Sequence, residues 1–277
     1  MASIRLIVMT KFKPPDIADV GKRAKRSIKE VNSLLDSVRF SMEPFSKRVS
    51  VIENGSIRYY TVERRGLGIL KTKYGKFWQY SFAIDDQWKK YSVIVKAELD
   101  KKHLIPIFKK SDPLLLRTDS GCETGQIFGD LTCECREQLH LALKTISDIG
   151  EGIIINIPSQ DGRGMGLTFK LASLWLQDVL DVNTVESAAL LAPGGIIDIR
   201  TYSGVICILK FFGIPENSKI NLATNNPKKA EVFIENGYSV MEYTPIIVEP
   251  NNHTLIHLKA KQERLGHKGL IGQKRKS

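Results

Sequence analysis

Three cysteines, Cys122, Cys133 and Cys135, stand within fourteen positions of one another in a chain that has four. Three thiolates make an incomplete tetrahedral zinc shell and leave a fourth position for a reactive water, so their chemistry is hydrolytic rather than structural. Cys133 and Cys135 are two apart and would share one side of an extended segment, while Cys122 returns from a hairpin-like loop turned by Gly121, Gly125 and Gly129. Free cysteine is most often simply buried, but this clustering argues for ligands. Cys207, in the apolar run Gly204 to Leu209, reads as core packing.

Two further segments can meet an anion. Ser159-Gln160-Asp161-Gly162-Arg163-Gly164-Met165-Gly166-Leu167 follows an apolar run and precedes a helical pattern, where backbone N–H groups and a helix N-terminus face an anion and Arg163 adds a phosphate-matching fork. Plain turn geometry explains three glycines equally well. Thr224-Asn225-Asn226-Pro227-Lys228-Lys229 is either a polar binding cluster or an Asn-Pro helix start with a solvated lysine pair.

The elements that must position these groups read as an α/β layer fold. Residues 16–40 carry Ile17, Val20, Ala24, Ile28, Val31 and Leu35 at helical spacing, after Pro14-Pro15. From Val49 to Val95 short aromatic and alternating runs are split by Gly55, Gly66, Gly68 and Gly75, which predicts strands and turns, with a domain join near Gly66. Gln138 to Ile149 predicts a helix ended by Gly150. Gly152 to Ile157 predicts a buried strand, Leu167 to Leu180 and Val205 to Phe212 predict helices, and Ile220 to Ala223 and Ile246 to Val248 predict short strands.

The chain of 277 residues, 42% hydrophobic, is long enough for a sizeable core. No apolar run approaches a membrane span, and Met1 to Met9 is too short for a secretory signal. Few, clustered cysteines fit a reducing cytoplasm. Net charge is +11, and residues 1–66 hold fourteen Lys or Arg against seven Asp or Glu, contributing +7 of it; Lys274-Arg275-Lys276 adds a basic tail. Without interleaved aromatics these charges read as solvated surface rather than a nucleic-acid site.

Taken in order, these segments resemble the GTP cyclohydrolase II family, zinc enzymes that open the imidazole ring of GTP at the start of riboflavin synthesis. The resemblance runs over residues 67–268, from Thr72-Lys73-Tyr74-Gly75-Lys76-Phe77 to Leu265-Gly266-His267. Between them stand the three-cysteine spacing, Gln138-Leu139, Gly162-Arg163, Gly166-Leu167, Leu176-Gln177-Asp178, Thr184-Val185-Glu186, Asp198-Ile199-Arg200 and Thr224 to Lys229. It implies a mixed sheet with packed helices over 67–268, preceded by a basic extension of residues 1–66 with a helix and short strands, and followed by a tail of residues 269–277. Sixty-six residues are too few for a second full catalytic domain.

The resemblance implies one zinc ion on Cys122, Cys133 and Cys135, and magnesium on the nucleotide phosphates. Arg200 corresponds to an arginine that attacks the α-phosphate and releases pyrophosphate, with Asp198 as its proton acceptor; a surface ion pair is the plainer reading of the two. Contacts to GTP or a related purine nucleotide carry over to Arg117, Thr118, Asp119, Ser120, Gly121, Gln138, Asp161, Gly162, Arg163, Thr184, Thr224 and Lys229. A homodimer is implied, without membrane or nucleic-acid partners.

The sequence also departs from the family. The catalytic tyrosine falls on Leu174, which transfers no proton, and Trp175 is a donor only. A positioned acid or base contributes about 10²–10⁴-fold, so its loss points to a reaction that stops at the ring-opened formamide, before formate leaves. The family's histidine and glutamate before the first ligand are Asp119 and Gly121, its aspartate after Thr124-Gly125 is Gln126, its arginine before the second ligand is Thr132, and Ser159 and Asp161 replace an arginine and a glutamate. A non-catalytic, GTP-binding regulatory paralogue is the competing expectation.

Overall fold

The computed structural model describes residues 12–85 and 90–271; the Met1 to Met9 stretch and the Lys274-Arg275-Lys276 tail lie outside them. The described chain divides into two compact units, one ending at Glu43 and the other beginning at Pro44.

The first unit is a pair of helices, α1 (Ile17–Ala24) and α2 (Ile28–Met42), where the sequence pattern suggested one. Lys25 takes a left-handed conformation, φ 52°, and its N–H bonds back to Gly21 and Lys22. Ser27 then opens α2 with a capping box: its Oγ accepts from the Glu30 N–H at 3.2 Å, and the Glu30 carboxylate accepts from the Ser27 N–H at 2.7 Å. Local capping chemistry thus interrupts a continuous apolar period.

The second unit opens with an antiparallel run of β1 (Phe45–Glu53), β2 (Ser56–Thr72), β3 (Gly75–Ile84) and β4 (Tyr91–Lys96). Asn54 and Gly55, both at positive φ, make the tight β1–β2 turn. β2 runs unbroken through Gly66, where its register with β3 shifts by a bulge. Gly66 therefore lies inside a strand, at a bulge.

β5 (Glu98–Leu99) and β6 (Pro106–Ile107) form a small separate ladder. The chain then alternates: β7 (Leu114–Ser120), α3 (Cys135–Ile149), β8 (Gly152–Ile157), α4 (Leu167–Leu180), α5 (Thr184–Leu191), α6 (Ser203–Phe212), β9 (Lys219–Ala223), α7 (Glu231–Glu235), β10 (Ser239–Thr244) and α8 (Leu255–Leu265). Among the described residues the main sheet has eight strands in the order β1-β2-β3-β4-β8-β7-β9-β10, and β8, β7, β9 and β10 are mutually parallel. The fold is the expected α/β arrangement, a mixed sheet with packed helices.

Leu114 to Leu116 of β7 and Ile153 to Ile155 of β8 are apolar without alternation because both faces are covered there. Leu114, Leu116, Ile153 and Ile155 pack with α6 on one face, while Leu115 and Ile154 pack with Ala142, Leu143 and Ile146 of α3 on the other. Each such side chain contributes about 1.5–3 kcal/mol on burial. Cys207 is fully buried within α6, and burial pushes its thiol up to about 12, as core packing requires. The strand expected at Ile246 to Val248 is absent. Pro245 has no N–H to extend the ladder past Thr244, and Ile246 instead donates its N–H to the Asn225 Oδ1 at 2.9 Å. Among the described residues no helix is long and apolar enough to cross a membrane.

A thiol cluster and a basic cleft at the sheet's switch point

β8 lies on one side of β7 and β9 on the other, all three parallel. Connections leaving in opposite directions open a crevice at the carboxyl ends of such strands. Three chemistry-bearing loops start there: Gly121 after β7, Ser159 after β8 and Thr224 after β9.

Gly121 crosses close over β8, its N–H bonding the Ile157 carbonyl at 2.9 Å, and a Cβ there would meet that oxygen at 2.7 Å. A π-helical turn, Glu123–Ile127, then returns the chain toward Cys133, and Cys135 is the first residue of α3. The extended geometry expected for Cys133 and Cys135 does not occur; the start of a helix brings the two sulfurs together instead. The three Sγ atoms lie within 4.8 Å of one another, Cys122 and Cys133 at 3.6 Å. Hydrogen bonds from Cys133 and Cys135 hold the Cys122 thiol far below its ordinary range, whereas donation to Cys122 pushes Cys133 up to about 12 and Cys135 upward as well. Three soft donors converging this closely fit a tetrahedral cation with one open position.

The glycine-rich segment is a left-handed turn, with Gly162 at φ 56° and Arg163 at φ 58°. Gly164, at φ 91°, packs against the next functional segment, and a Cβ on it would stand 3.0 Å from the Arg200 nitrogen. The Ile199 N–H bonds the Arg163 carbonyl at 3.0 Å. Asp161 accepts from the Glu123 N–H at 2.9 Å, which ties this turn to the thiol loop, and Arg163 donates to the Thr184 carbonyl and Oγ1 at 3.0 and 3.2 Å.

Asp198 and Arg200 sit in an irregular stretch where the carboxylate folds back on the guanidinium: Nε meets Oδ1 at 2.9 Å and Nη2 meets Oδ2. Arg200 is largely covered, side chain 14% exposed, while Asp198 is 39% exposed. Burial works to lower Arg200, but Asp198 outweighs it and holds the guanidinium above its ordinary range; Asp198 is lowered in turn by Arg200 against the opposite pull of burial.

On β7, Arg117 and Asp119 form a buried ion pair at 3.0 Å. Arg117 also donates to Gln138 at 3.2 Å, and the other Asp119 oxygen accepts from Gln126 at 2.6 Å and Asn156 at 2.8 Å. Asp119 and Gln126 both depart from the family pattern, and they are partners here. Lys229 turns inward and donates to the Thr118 carbonyl at 2.7 Å; burial, then Arg117 and Arg200, pull its ammonium down to about 7. In the Thr224 to Lys229 run, Asn226 caps the turn at Lys228 while Lys229 faces the cleft.

One cleft is lined by Cys122, Cys133, Cys135, Arg117, Asp119, Ser120, Gln138, Asp161, Gly162, Arg163, Thr184, Arg200, Thr224 and Lys229. Thr118 faces the protein interior, Gly121 packs on Ile157, and Asp198 reaches the site through Arg200. Leu174 lies half-buried on α4, one residue past Ser173, which does line the cleft. Sequence reasoning missed Glu134, Lys170, Lys261 and His267 in the lining. His267 is pulled down to about 4 by burial and by Lys261 and Arg200, so its imidazole is neutral. The signal for it was the Leu265-Gly266-His267 ending of the resemblance.

A metal-competent tris-cysteine cluster opening onto a cation-rich cleft at the switch point of a mixed sheet defines a hydrolase-type site for an anionic ligand. The chain belongs to the GTP cyclohydrolase II family, whose profile matches residues 65–245. It is 36% identical over 213 residues to the riboflavin biosynthesis protein RibBA of Parabacteroides distasonis, covering 76% of this chain and 48% of that one. It is 32% identical over 222 residues to GTP cyclohydrolase-2 of Streptomyces coelicolor, covering 80% and 93%, and 34% identical over 211 residues to GTP cyclohydrolase-2 of Picrophilus torridus, covering 76% and 98%. The chain thus spans about half the length of the RibBA relatives and nearly all of the GTP cyclohydrolase-2 ones.

Proposed function

We propose that the protein is a zinc-dependent cyclohydrolase that opens the imidazole ring of GTP, or of a closely related purine nucleotide, and releases pyrophosphate. The observation that carries this reading is the meeting of the three thiols with Arg163, Arg200 and Lys229 in one cleft. Cys122, Cys133 and Cys135 would hold the zinc, which would supply Lewis acidity for hydrolysis at C8 of the guanine.

The chain's own groups divide the remaining work. Arg163 and Lys229 hold the triphosphate, whose oxygens would take magnesium. Gln138 and Asp161 read the edge of the base. An Arg200 nitrogen attacks the α-phosphorus: a phosphorus–nitrogen bond forms, the bond to the bridging oxygen breaks, pyrophosphate leaves, and the guanidinium proton passes to Asp198. The hydrogen bond for that transfer is in place. In the free protein the ion pair is favoured, so the transfer needs the substrate. Leu174 leaves the formamide without the family's proton donor, and the reaction ends at the formamidopyrimidine. A homodimer and a cytoplasmic setting complete the reading.

The test is incubation with GTP, zinc and magnesium, followed by product masses. Pyrophosphate plus a ring-opened formamide supports the proposal. Bound but unchanged GTP overturns it in favour of a regulatory paralogue.

A further inference from the structure

Glu134 stands between two of the three sulfur-bearing residues, and its side chain is only 10% exposed. A carboxylate so covered is costly unless paired. Its partner comes from 127 positions away: the Lys261 Nζ, on α8, meets Oε1 at 2.8 Å and Oε2 at 3.1 Å. The same Oε1 accepts from Gln138 at 3.4 Å, and Gln138 accepts from Arg117, so the pair is continuous with the β7 side of the cleft. α8 has an independent anchor, Arg264 with Glu186 of α5 at 3.0 Å, and that pair is solvent-exposed. α8 also lies beyond residues 65–245, the part matched by the family profile.

Charge gives the pair a purpose beyond tethering. Three thiolates around a divalent cation keep one net negative charge, and Glu134 places a second beside them. Lys261 cancels one of the two from within the same wall. Its contact also fixes the residue joining Cys133 to Cys135, so it governs where the sulfurs point.

We infer that Lys261 is a positioning residue of the metal centre, acting through Glu134, so that metal retention depends on α8. This rests on the zinc reading above, and the experiment separates the two. Zinc per chain and zinc affinity by chelator competition are measured for the full-length protein and for Lys261→Met, Lys261→Arg, Lys261→Gln and Arg264→Met, with folding checked by circular dichroism and the sulfur-to-cobalt absorption recorded after cobalt substitution. Outer-shell partners of this kind are worth about 10–100-fold in metal affinity. The expected result is a loss of that size in Lys261→Met, with a shifted cobalt band, substantial recovery in Lys261→Arg, and wild-type affinity in Arg264→Met. If Lys261→Met does not fold, Lys261→Gln, which keeps a donor but no charge, must show the loss. Unchanged affinity in the folded Lys261 variants overturns the inference, as does an equal loss in Arg264→Met. A wild-type protein that binds no zinc overturns the metal reading itself.

Discussion

A Cβ on Gly125 would stand 2.7 Å from the Cys133 sulfur and 3.4 Å from the Cys122 sulfur, so the thiol cluster closes around a position that only glycine can fill. Gly125→Ala should therefore lower bound zinc well below one per chain while Cys207→Ser, buried in α6, leaves it unchanged. Metal analysis of the purified variants checks this; full zinc loading in Gly125→Ala would refute the role assigned to the glycine.

Lys229 predicts a proton uptake. Its folded value of about 7 lies below the ordinary 10.5, owing to burial first and then to Arg117 and Arg200. Between those values the unfolded chain holds the extra proton, so this group's contribution to stability rises with pH across that window. A bound triphosphate restores the charge. At pH 8 nucleotide binding should take up close to one proton, read by calorimetry in buffers of different ionisation enthalpy, and Lys229→Arg should abolish the uptake.

The Asp198–Arg200 pair predicts a loss confined to phosphate chemistry. Asp198→Asn and Arg200→Lys should reduce pyrophosphate release about 10²–10⁴-fold while zinc content stays at the wild-type level. Near-normal release from Arg200→Lys would remove the arginine from the reaction.

Leu174 predicts a gain. Leu174→Tyr returns a proton donor to α4 beside Ser173, and formate should appear among the products alongside a correspondingly lighter pyrimidine. A variant that binds GTP and opens the ring yet forms no formate would show that the other departures, at Asp119, Gly121 and Gln126, decide the endpoint.

Glu151 predicts a stability loss far from the cleft. Its carboxylate, in a residue 3% exposed, accepts from the backbone N–H groups of Lys109, Lys110 and Ser111 and from the Ser111 hydroxyl, all at 2.7–2.8 Å. Burial alone would raise the carboxyl, but these bonds outweigh it and hold it below its ordinary value. The stabilisation is complete above the unfolded value and fades as the pH falls through the folded one. Glu151→Ala should cost about 3 kcal/mol at neutral pH in denaturant unfolding, with the gap to wild type narrowing in acid.

The parts of the fold that depend on local pattern were legible in the sequence. Gly152 to Ile157 and Val205 to Phe212 are apolar except at Asn156 and Lys210, because nearly every position in them is buried, and Gly150 ends α3 in a left-handed conformation. The failures came where local chemistry opposed the pattern, as at Lys25 and Pro245. In the site, clusters written within one segment could be found, whereas Glu134 with Lys261 could not. That pair is made by the fold, and Lys259-Ala260-Lys261-Gln262-Glu263-Arg264 reads as a solvated helix until Glu134 is seen beneath it.

The order of the strands carries a consequence for how the molecule forms. β1 to β4 join consecutively as hairpins, whereas β7, β8 and β9 meet only through crossovers, whose longer loops close more slowly. Every residue lining the cleft lies in that later half. During refolding the cysteines should stay open to solvent and to zinc after the hairpins are protected from exchange, which pulse-labelling with and without the metal would resolve strand by strand.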